Sequence, residues 1–291
     1  MVAANDDNGR VLFSDGDITD PIFYRSSIKP LQATVSLEAG ADLPPEHLAV
    51  ACSSHSGFPV HVAIVSAVLR RHGLDREALQ TPPDRPLDPA ADRFYASRGD
   101  TARRRVFHNC SGNHAGFLAA CVATGWPVDT YTRADHPLQE RVIELVADAT
   151  STTPFPLGID GCGVPTMRGN VRGLATAFAR ISSDPRFAAV ADATHRYPSL
   201  VADSQRPDGL LGRWWGGPVK VGAEGILAVA RHGVGIAAKS LSGNGSVAAA
   251  AVLAAADRLG MLSPAQQAGL AEVAEPPVLG GGVRVGSLVL D

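Results

Sequence analysis

Apolar residues recur at helical spacing through the middle of the chain. In the segment 59–73, Val60, Ile64 and Val68 fall on one side of a helix, and a glycine follows as an end signal. A serine cap, an early proline and a closing glycine indicate another helix at 26–40. The same reasoning predicts helices over 26–40, 59–73, 114–125, 137–150, 171–183, 186–197 and 246–260.

Short segments rich in β-forming residues lie towards the two ends of the chain. The segment 9–16 closes on an Asp-Gly turn and is typical of a strand, with no hairpin partner predicted before it. Glycines separate three further apolar runs, as in a meander, and a last strand follows. The predicted strands span 9–16, 218–221, 225–231, 233–241 and 283–291. Residues 77–105 and 154–166, both rich in proline, are predicted to be loops.

This order of elements predicts the fold class. Strands near both ends with helices between them favour an α/β (α+β) fold, in which the two termini build a mainly antiparallel sheet and helices pack against it. We interpret residues 1–291 as a single domain. Its sheet lobe comes from about 1–25 and 215–291, and a helical lobe lies in between.

Composition and charge narrow the classes of partner. A net charge of −3 gives no basic footprint for nucleic acid, and the arginine run 103–105 is too short to change that. The longest apolar run, 247–256, is far shorter than the roughly 20 residues of a membrane span. We find no signal peptide, and four cysteines in so long a chain do not indicate a disulfide framework. We therefore expect reduced thiols and a cytoplasmic location.

Lysine is scarce in this chain, so the positions that keep it are informative. Of 26 basic side chains, only Lys29, Lys220 and Lys239 are lysines. Arginine stays protonated in proteins, whereas lysine can lose its proton and act as a base. Ser26 and Lys29 form S-x-x-K at a helix start, so the amine can accept the proton of the hydroxyl. A capping serine followed by a surface lysine is the alternative.

A second lysine and a serine cluster extend this candidate chemistry. Lys239 lies on a predicted strand with apolar neighbours, and it either belongs to a site or protects an edge strand from aggregation. Two ammonium groups brought together lower each other's pKa, as a lysine base requires. Serines also crowd the segment 53–56 before a glycine, where a hydroxyl can approach a substrate closely. The sequence assigns no chemical role to Lys220.

Two cysteines are candidate metal ligands. Cys110 and His114 lie four residues apart at a helix start, while Asp160 and Cys162 share a glycine-rich loop. Two thiolates and an imidazole can hold zinc. Free cysteines are also common as small core residues, and the residues alone favour that alternative.

Several of these motifs occur together in a characteristic order. They are RSSIKPLQA, SHSG, NCSGNHAGFLAAC, GIDGCGVPT and KVGAEG…GIAAK. In this order they resemble the asparaginase II family, the rhizobial-type L-asparaginases, over nearly the whole chain. The resemblance implies a fold similar to that of serine β-lactamases and penicillin-binding proteins, which use S-x-x-K, a second serine and a late lysine. It also implies a homodimer and no organic cofactor.

The resemblance assigns roles to particular residues of this chain. It implies the catalytic residues Ser26, Lys29, Ser56 and Lys239, the substrate-binding residues Arg25, Asp160 and Phe58, and the zinc ligands Cys110, Cys162 and Asn113. Two positions depart from the family pattern. Asn113 stands where a lysine ligand is expected, so we expect weak or sub-stoichiometric zinc. Phe58 stands where a glutamate is usual, which puts recognition of a substrate's α-ammonium group in question.

The sequence therefore predicts an amidohydrolase with a small-molecule substrate, and specifically an L-asparaginase that releases ammonia and aspartate. Ser26, deprotonated by Lys29, would attack the side-chain amide, although the sequence leaves the choice of nucleophile between Ser26 and Ser56 open. One alternative is another serine amidohydrolase on the same scaffold, acting on glutamine, a peptide or a β-lactam. The other is a degenerate member that binds an amide without turnover.

Overall fold

The computed structural model describes residues 1–202 and 205–288. The strands within these residues are β1 (Val2–Asp6), β2 (Val11–Asp15), β3 (Ile22–Phe23), β4 (Leu157–Ile159), β5 (Pro165–Gly169), β6 (Val219–Gly222), β7 (Ile226–Arg231), β8 (Val234–Lys239), β9 (Pro277–Gly280) and β10 (Val283–Ser287). The α-helices are α1 (Lys29–Glu38), α2 (Pro45–Ala51), α3 (Pro59–Arg71), α4 (Pro89–Ala96), α5 (Ser111–Thr124), α6 (Pro137–Thr150), α7 (Val171–Ile181), α8 (Ala188–Arg196), α9 (Pro198–Val201), α10 (Pro207–Trp214), α11 (Gly245–Arg258), α12 (Pro264–Gly269) and α13 (Ala271–Ala274). The expected mixed α/β class is confirmed.

The largest sheet has five antiparallel strands in the order β2-β1-β8-β7-β6. The predicted meander forms β6, β7 and β8, and β8 then pairs with β1 from the start of the chain. Strand β6 is therefore an edge of this sheet, while β8 lies in the middle. Two smaller sheets have the orders β3-β5-β4 and β10-β9.

Side chains on the five-stranded sheet alternate between two hydrophobic clusters. Ala3, Ala228 and Ala237 face a large cluster shared with α7, while their neighbours Val2, Leu227 and Ala238 face a second cluster shared with α11. This alternation follows from the two-residue period of a strand, since successive side chains point to opposite faces. Both faces of the sheet are therefore covered.

Helix α7 packs unusually close to the sheet at Gly235. A Cβ atom at this glycine would lie 2.1 Å from the backbone oxygen of Ala175 and 2.3 Å from the backbone nitrogen of Ala179. Only glycine fits such an approach of helix backbone to strand backbone. The contact fixes the distance between the helical residues and the central strands.

The sequence missed the partner of the first predicted strand. Segment 9–16 does have a hairpin partner, because β1 pairs with β2 in antiparallel register. Strand β1 is short, built largely of small residues and buried on both faces, so it lacks the alternation that marks a half-exposed strand.

The predicted loops also contain regular structure. Residues 77–105 hold α4, whose first turn is capped by the Asp88 side chain accepting from the Ala90 and Ala91 amides. Residues 154–166 hold β4 and the start of β5. Of the predicted last strand, residues 283–287 form β10, which pairs with β9 and not with the five-stranded sheet, and 289–291 lie outside the described residues.

Within the described ranges, no helix combines the length and the hydrophobicity needed to cross a membrane.

Candidate active site

Ser26 and Lys29 lie where a short 3₁₀ turn runs into a helix. The turn spans Arg25–Ile28, and α1 begins directly at Lys29 with a proline in its second position. The Lys29 side chain is only 2% exposed. Its Nζ donates to the backbone oxygen of Ser53 at 2.7 Å and to Ser54 Oγ at 3.3 Å. The amine is therefore directed into the interior, toward the serine-rich segment after α2.

A second buried lysine reaches the same serine from the sheet. Lys220, on the edge strand β6, is 1% exposed, and its Nζ donates to Ser54 Oγ at 3.0 Å and to the backbone oxygen of Val221 at 2.7 Å. The hydroxyl of Ser54 thus lies between two lysine amines. Burial, reinforced by the charge of Lys29, holds the pKa of Lys220 well below its usual value.

The edge strand reaches the serine turn because glycine occupies the contact point. A Cβ atom at Gly222 would lie 3.0 Å from the backbone oxygen of Tyr24 and 3.3 Å from the backbone nitrogen of Ser27. A larger residue would push β6 away from the turn that carries Ser26. In the segment 220–222, the lysine therefore reaches Ser54, and the glycine allows β6 to lie close to the turn that carries Ser26.

Ser26 and Ser54 line one cavity of about 400 Å³. Its other lining residues are Asn109, Arg206, Pro207, Asp208, Val221, Gly222, Ala223, Leu227, Asn244, Gly245, Ser246 and Ala249. A few polar groups converging in a largely apolar cavity of this size are typical of a small-molecule site.

An ion pair forms part of the cavity wall. Arg206 binds the Asp208 carboxylate through two contacts, Nε to Oδ1 at 3.0 Å and Nη2 to Oδ2 at 2.6 Å. Its Nη1 also donates to the backbone oxygen of Ser54 at 3.3 Å. The pair is therefore connected directly to the serine between the two lysines.

Two residues predicted for the site lie outside this hydrogen-bond network. Ser56 is buried, and its Oγ has no hydrogen-bond partner among the described residues. The amine of Lys239 donates to the backbone oxygens of Glu224 and Ser240, not to a serine hydroxyl. Lys220 occupies the position beside Lys29 that the sequence analysis gave to Lys239, because β6 rather than β8 is the edge strand at the serine turn.

The predicted substrate-binding residues are only partly brought together. Arg25, whose φ of 53° is in the left-handed region, donates from Nε to Asp160 Oδ1 at 3.0 Å and contacts Glu224 Oε1 at 2.5 Å. Phe58 lies directly before α3, with its ring 6.3 Å from that of His61. Arg25, Asp160 and Phe58 are not among the residues that line the cavity.

The two cysteines predicted as zinc ligands lie next to each other. Cys110 and Cys162 are both buried, and a hydrogen bond between their thiols holds the pKa of Cys110 below its usual value. Asn113 Nδ2 donates to the backbone oxygen of Ala51 at 3.2 Å, and its Oδ1 has no hydrogen-bond partner among the described residues. No group of three His, Cys, Asp or Glu side chains suited to a metal ion is found within 1–202 and 205–288. Two thiols and an amide do not fit a tetrahedral zinc site.

Sequence reasoning missed four residues of this site, of which Ser54, Arg206 and Asp208 line the cavity and Lys220 lies behind Ser54. Ser54 and Lys220 each carried a signal, one within the serine cluster and the other among only three lysines. Arg206 and Asp208 carried none, because charged residues next to a proline are ordinary at the start of a surface helix.

Ser26 and Ser54 line one cavity, and the buried amines of Lys29 and Lys220 both donate to Ser54 Oγ. Hydrolytic enzymes that form covalent serine intermediates also place a basic side chain beside a serine hydroxyl. A family model described as L-asparaginase II matches residues 1–290, and the chain belongs to that family. The expected amidohydrolase activity is thereby confirmed at the level of the family. A search of curated proteins gave no match.

Proposed function

We propose that this protein is an L-asparaginase that hydrolyses the side-chain amide of L-asparagine to aspartate and ammonia by serine–lysine chemistry. The observation that carries the proposal is the position of Ser54 Oγ, 3.0 Å from Lys220 Nζ and 3.3 Å from Lys29 Nζ, in the cavity that Ser26 also lines. The family supplies the reaction class. The substrate and the roles of individual residues are the proposal.

Lys220 is the proposed base. A base must be neutral before the reaction, and burial beside the charge of Lys29 lowers the pKa of Lys220. Ser54 Oγ connects the two amines, so a proton can pass through its hydroxyl from one side of the cavity to the other. Arginine at position 220 would keep its proton and could not act in this way.

Ser26 is the proposed nucleophile. Its Oγ attacks the carboxamide carbon, and its proton passes through Ser54 to Lys220, giving a tetrahedral intermediate. Lys220 then returns the proton to the leaving nitrogen, which departs as ammonia and leaves an aspartyl ester on Ser26. Water activated by the same base cleaves the ester and releases aspartate. Support comes from the position of Ser26 on the cavity wall, on the 3₁₀ turn that leads into the helix beginning at Lys29.

One observation favours a variant of this mechanism. Among the described hydroxyls, only that of Ser54 donates to or accepts from both lysine amines, and so Ser54 could attack directly with Lys220 as its base. The two versions form esters on different serines. Mass spectrometry of the quenched enzyme, after proteolysis, would identify the modified peptide.

Backbone amides are the proposed donors to the oxyanion. Ser26 and Ala223 both line the cavity, one on the serine turn and one directly after β6. Rigid backbone N–H groups that meet the developing negative charge stabilise a tetrahedral intermediate without reorganisation. The close approach at Gly222 sets the distance between these two segments.

The likeness to serine β-lactamases remains part of the proposal. It is supported by the S-x-x-K turn at Ser26 and by Lys220 on the edge strand beside it, followed two residues later by glycine. The division into a sheet lobe and a helical lobe, and the homodimer, are likewise proposals from the resemblance.

Ammonia release tests the proposal. Purified protein is incubated with L-asparagine, L-glutamine or a chromogenic β-lactam, and ammonia or ring opening is followed. Turnover of asparagine above glutamine by tenfold or more in kcat/KM is the expected result. Preferred turnover of glutamine or the β-lactam would support a different amidohydrolase, and binding of asparagine without any turnover would support a degenerate member.

A further inference from the structure

Asp208 places a carboxylate on the wall of the cavity. Among the described residues that line the cavity, Asp208 is the one acidic side chain, and Arg206 is beside it. The amines of Lys29 and Lys220 lie just behind Ser54. A carboxylate is a strong partner for the α-ammonium group of an amino acid, and Asp208 is the carboxylate on the described cavity wall.

The geometry holds the Asp208 carboxylate in one orientation. Both of its oxygens accept from Arg206, at 3.0 and 2.6 Å, and such two-point contacts fix a carboxylate in plane. The third contact of Arg206, to the Ser54 backbone oxygen, fixes the pair relative to the reacting groups. A charged contact to Asp208 would therefore orient the substrate with respect to Ser54.

Asp208 still has capacity for another donor. An ionised carboxylate offers about four lone-pair directions, of which the two contacts with Arg206 use two. The residue is only 5% exposed, and it nevertheless lines the cavity. A contact made in such a poorly hydrated place is stronger than the same contact in water.

Other acidic groups are less well placed for this task. The usual glutamate after the SHSG motif is replaced by Phe58, and Asp160 and Glu224 are engaged by Arg25 away from the cavity lining. With Phe58 in place of that glutamate, another residue must recognise the α-ammonium group of the substrate. Asp208, in the first turn of α10, is the candidate.

We propose that Asp208 binds the α-ammonium group of the amino-acid substrate, and that Arg206 is the positioning residue that orients its carboxylate. This inference deepens the proposed function and rests on it. On this inference, α10 makes the enzyme prefer amides that carry an α-ammonium group. The serine and lysine residues of the proposed mechanism carry out the reaction itself.

Removing the charge of Asp208 and removing the α-ammonium group of the substrate test the same contact. Wild type and Asp208→Asn are each assayed with L-asparagine and with succinamate, which has hydrogen in place of the α-ammonium group. We expect wild type to favour asparagine by about 10²-fold or more in kcat/KM, as sites built around a buried polar contact do. Asp208→Asn should reduce this preference to within about tenfold, through loss on asparagine while succinamate changes by a few-fold.

The ratio of the two substrates separates recognition from a structural effect. Removing Asp208 also removes a charge that acts on Lys220, but both substrates use that base and the effect cancels in the ratio. The matched control is Asp135→Asn, because Arg133 and Asp135 form the same two-point pair with the same sequence spacing at an exposed site. The control should leave the ratio unchanged. An unchanged ratio in Asp208→Asn, or equal losses on both substrates, would overturn the inference.

Two further measurements keep the inference distinct from the proposed function. If wild type releases no ammonia from either amide, the proposed function fails, and calorimetric binding of L-aspartate against succinate replaces turnover. Wild type should then bind aspartate more tightly than succinate, and Asp208→Asn should not. If Asp208→Asn does not fold, Asp208→Glu should raise KM for asparagine and not for succinamate, and an equal change for both would refute the assignment.

Discussion

Replacing Lys220 with methionine tests the centre of the proposed site. Methionine keeps an unbranched apolar stem and removes only the amine, so the volume left in the 1% exposed position is nearly the same. The change deletes the hydrogen bonds to Ser54 Oγ and to the Val221 backbone oxygen. Ser54 keeps its contact with Lys29.

We expect Lys220→Met to lower kcat by about 10²–10⁴-fold, the usual contribution of a general base. KM should change by much less, since the proposed base transfers a proton and holds no group of the substrate. The assay is steady-state ammonia release from asparagine. The same change at Lys239 is the comparison, because its amine contacts only backbone oxygens among its described hydrogen bonds.

The lowered pKa of Lys220 also predicts how stability depends on pH. Because the folded state disfavours the protonated amine, the unfolded chain binds more protons between the folded pKa of Lys220 and the ordinary lysine value of about 10.4. Stability contributed by this group therefore rises with pH through that window, by up to about 1.4 kcal/mol per pH unit. Lys220→Met removes this slope, so its stability relative to wild type should be higher at pH 7 than at pH 9 in urea unfolding.

Two results would refute this reasoning. If Lys220→Met kept kcat within a few-fold of wild type while Lys239→Met lost it, the base would belong to β8 and not to β6. If the relative stability of Lys220→Met were the same at pH 7 and pH 9, the buried amine would carry its proton in the folded protein and could not act as a base.

Three further predictions follow from the site. Ser26→Ala should abolish the trapped ester, whereas an ester that persists on the peptide containing Ser54 would assign the nucleophile to Ser54. Gly222→Val should reduce kcat by at least about tenfold through displacement of β6, and unchanged kinetics would show that the serine turn tolerates the shift. Protein purified without chelator should hold well under one zinc per chain by elemental analysis, since an amide at Asn113 is a poor third zinc ligand beside the two thiols; one tightly held zinc would show that other groups complete the site.

Local sequence patterns predicted the individual strands better than they predicted which strands pair with each other. The strands β6, β7 and β8 were readable because glycines bound each short apolar run. The pairing of β8 with β1 was not, because it joins residues more than 200 positions apart and leaves no local trace. The fold class followed from element order, while the internal position of β1 followed only from the structure.

The residues of the site divide in the same way, into those that local spacing predicts and those that tertiary packing places. Ser26 and Lys29 were predicted because their spacing alone puts them one helical turn apart. The choice between Lys220 and Lys239 depends on which strand forms the edge of the sheet, and both lysines have apolar neighbours in the sequence. Asp208 enters the cavity through the placement of α10, which no local motif encodes.

The pairing of β1 with β8 has a consequence for biosynthesis. Val2 lies opposite Ala238, so about 235 further residues must be made before β1 gains its second neighbour. At about 5–20 residues per second, the β1–β2 hairpin waits on the order of 10–50 s with one edge unpaired. Such an edge is a template for pairing with other chains. We expect the nascent chain to depend on chaperones during this interval, and a circular permutant that begins before β6 and joins the original ends should shorten it.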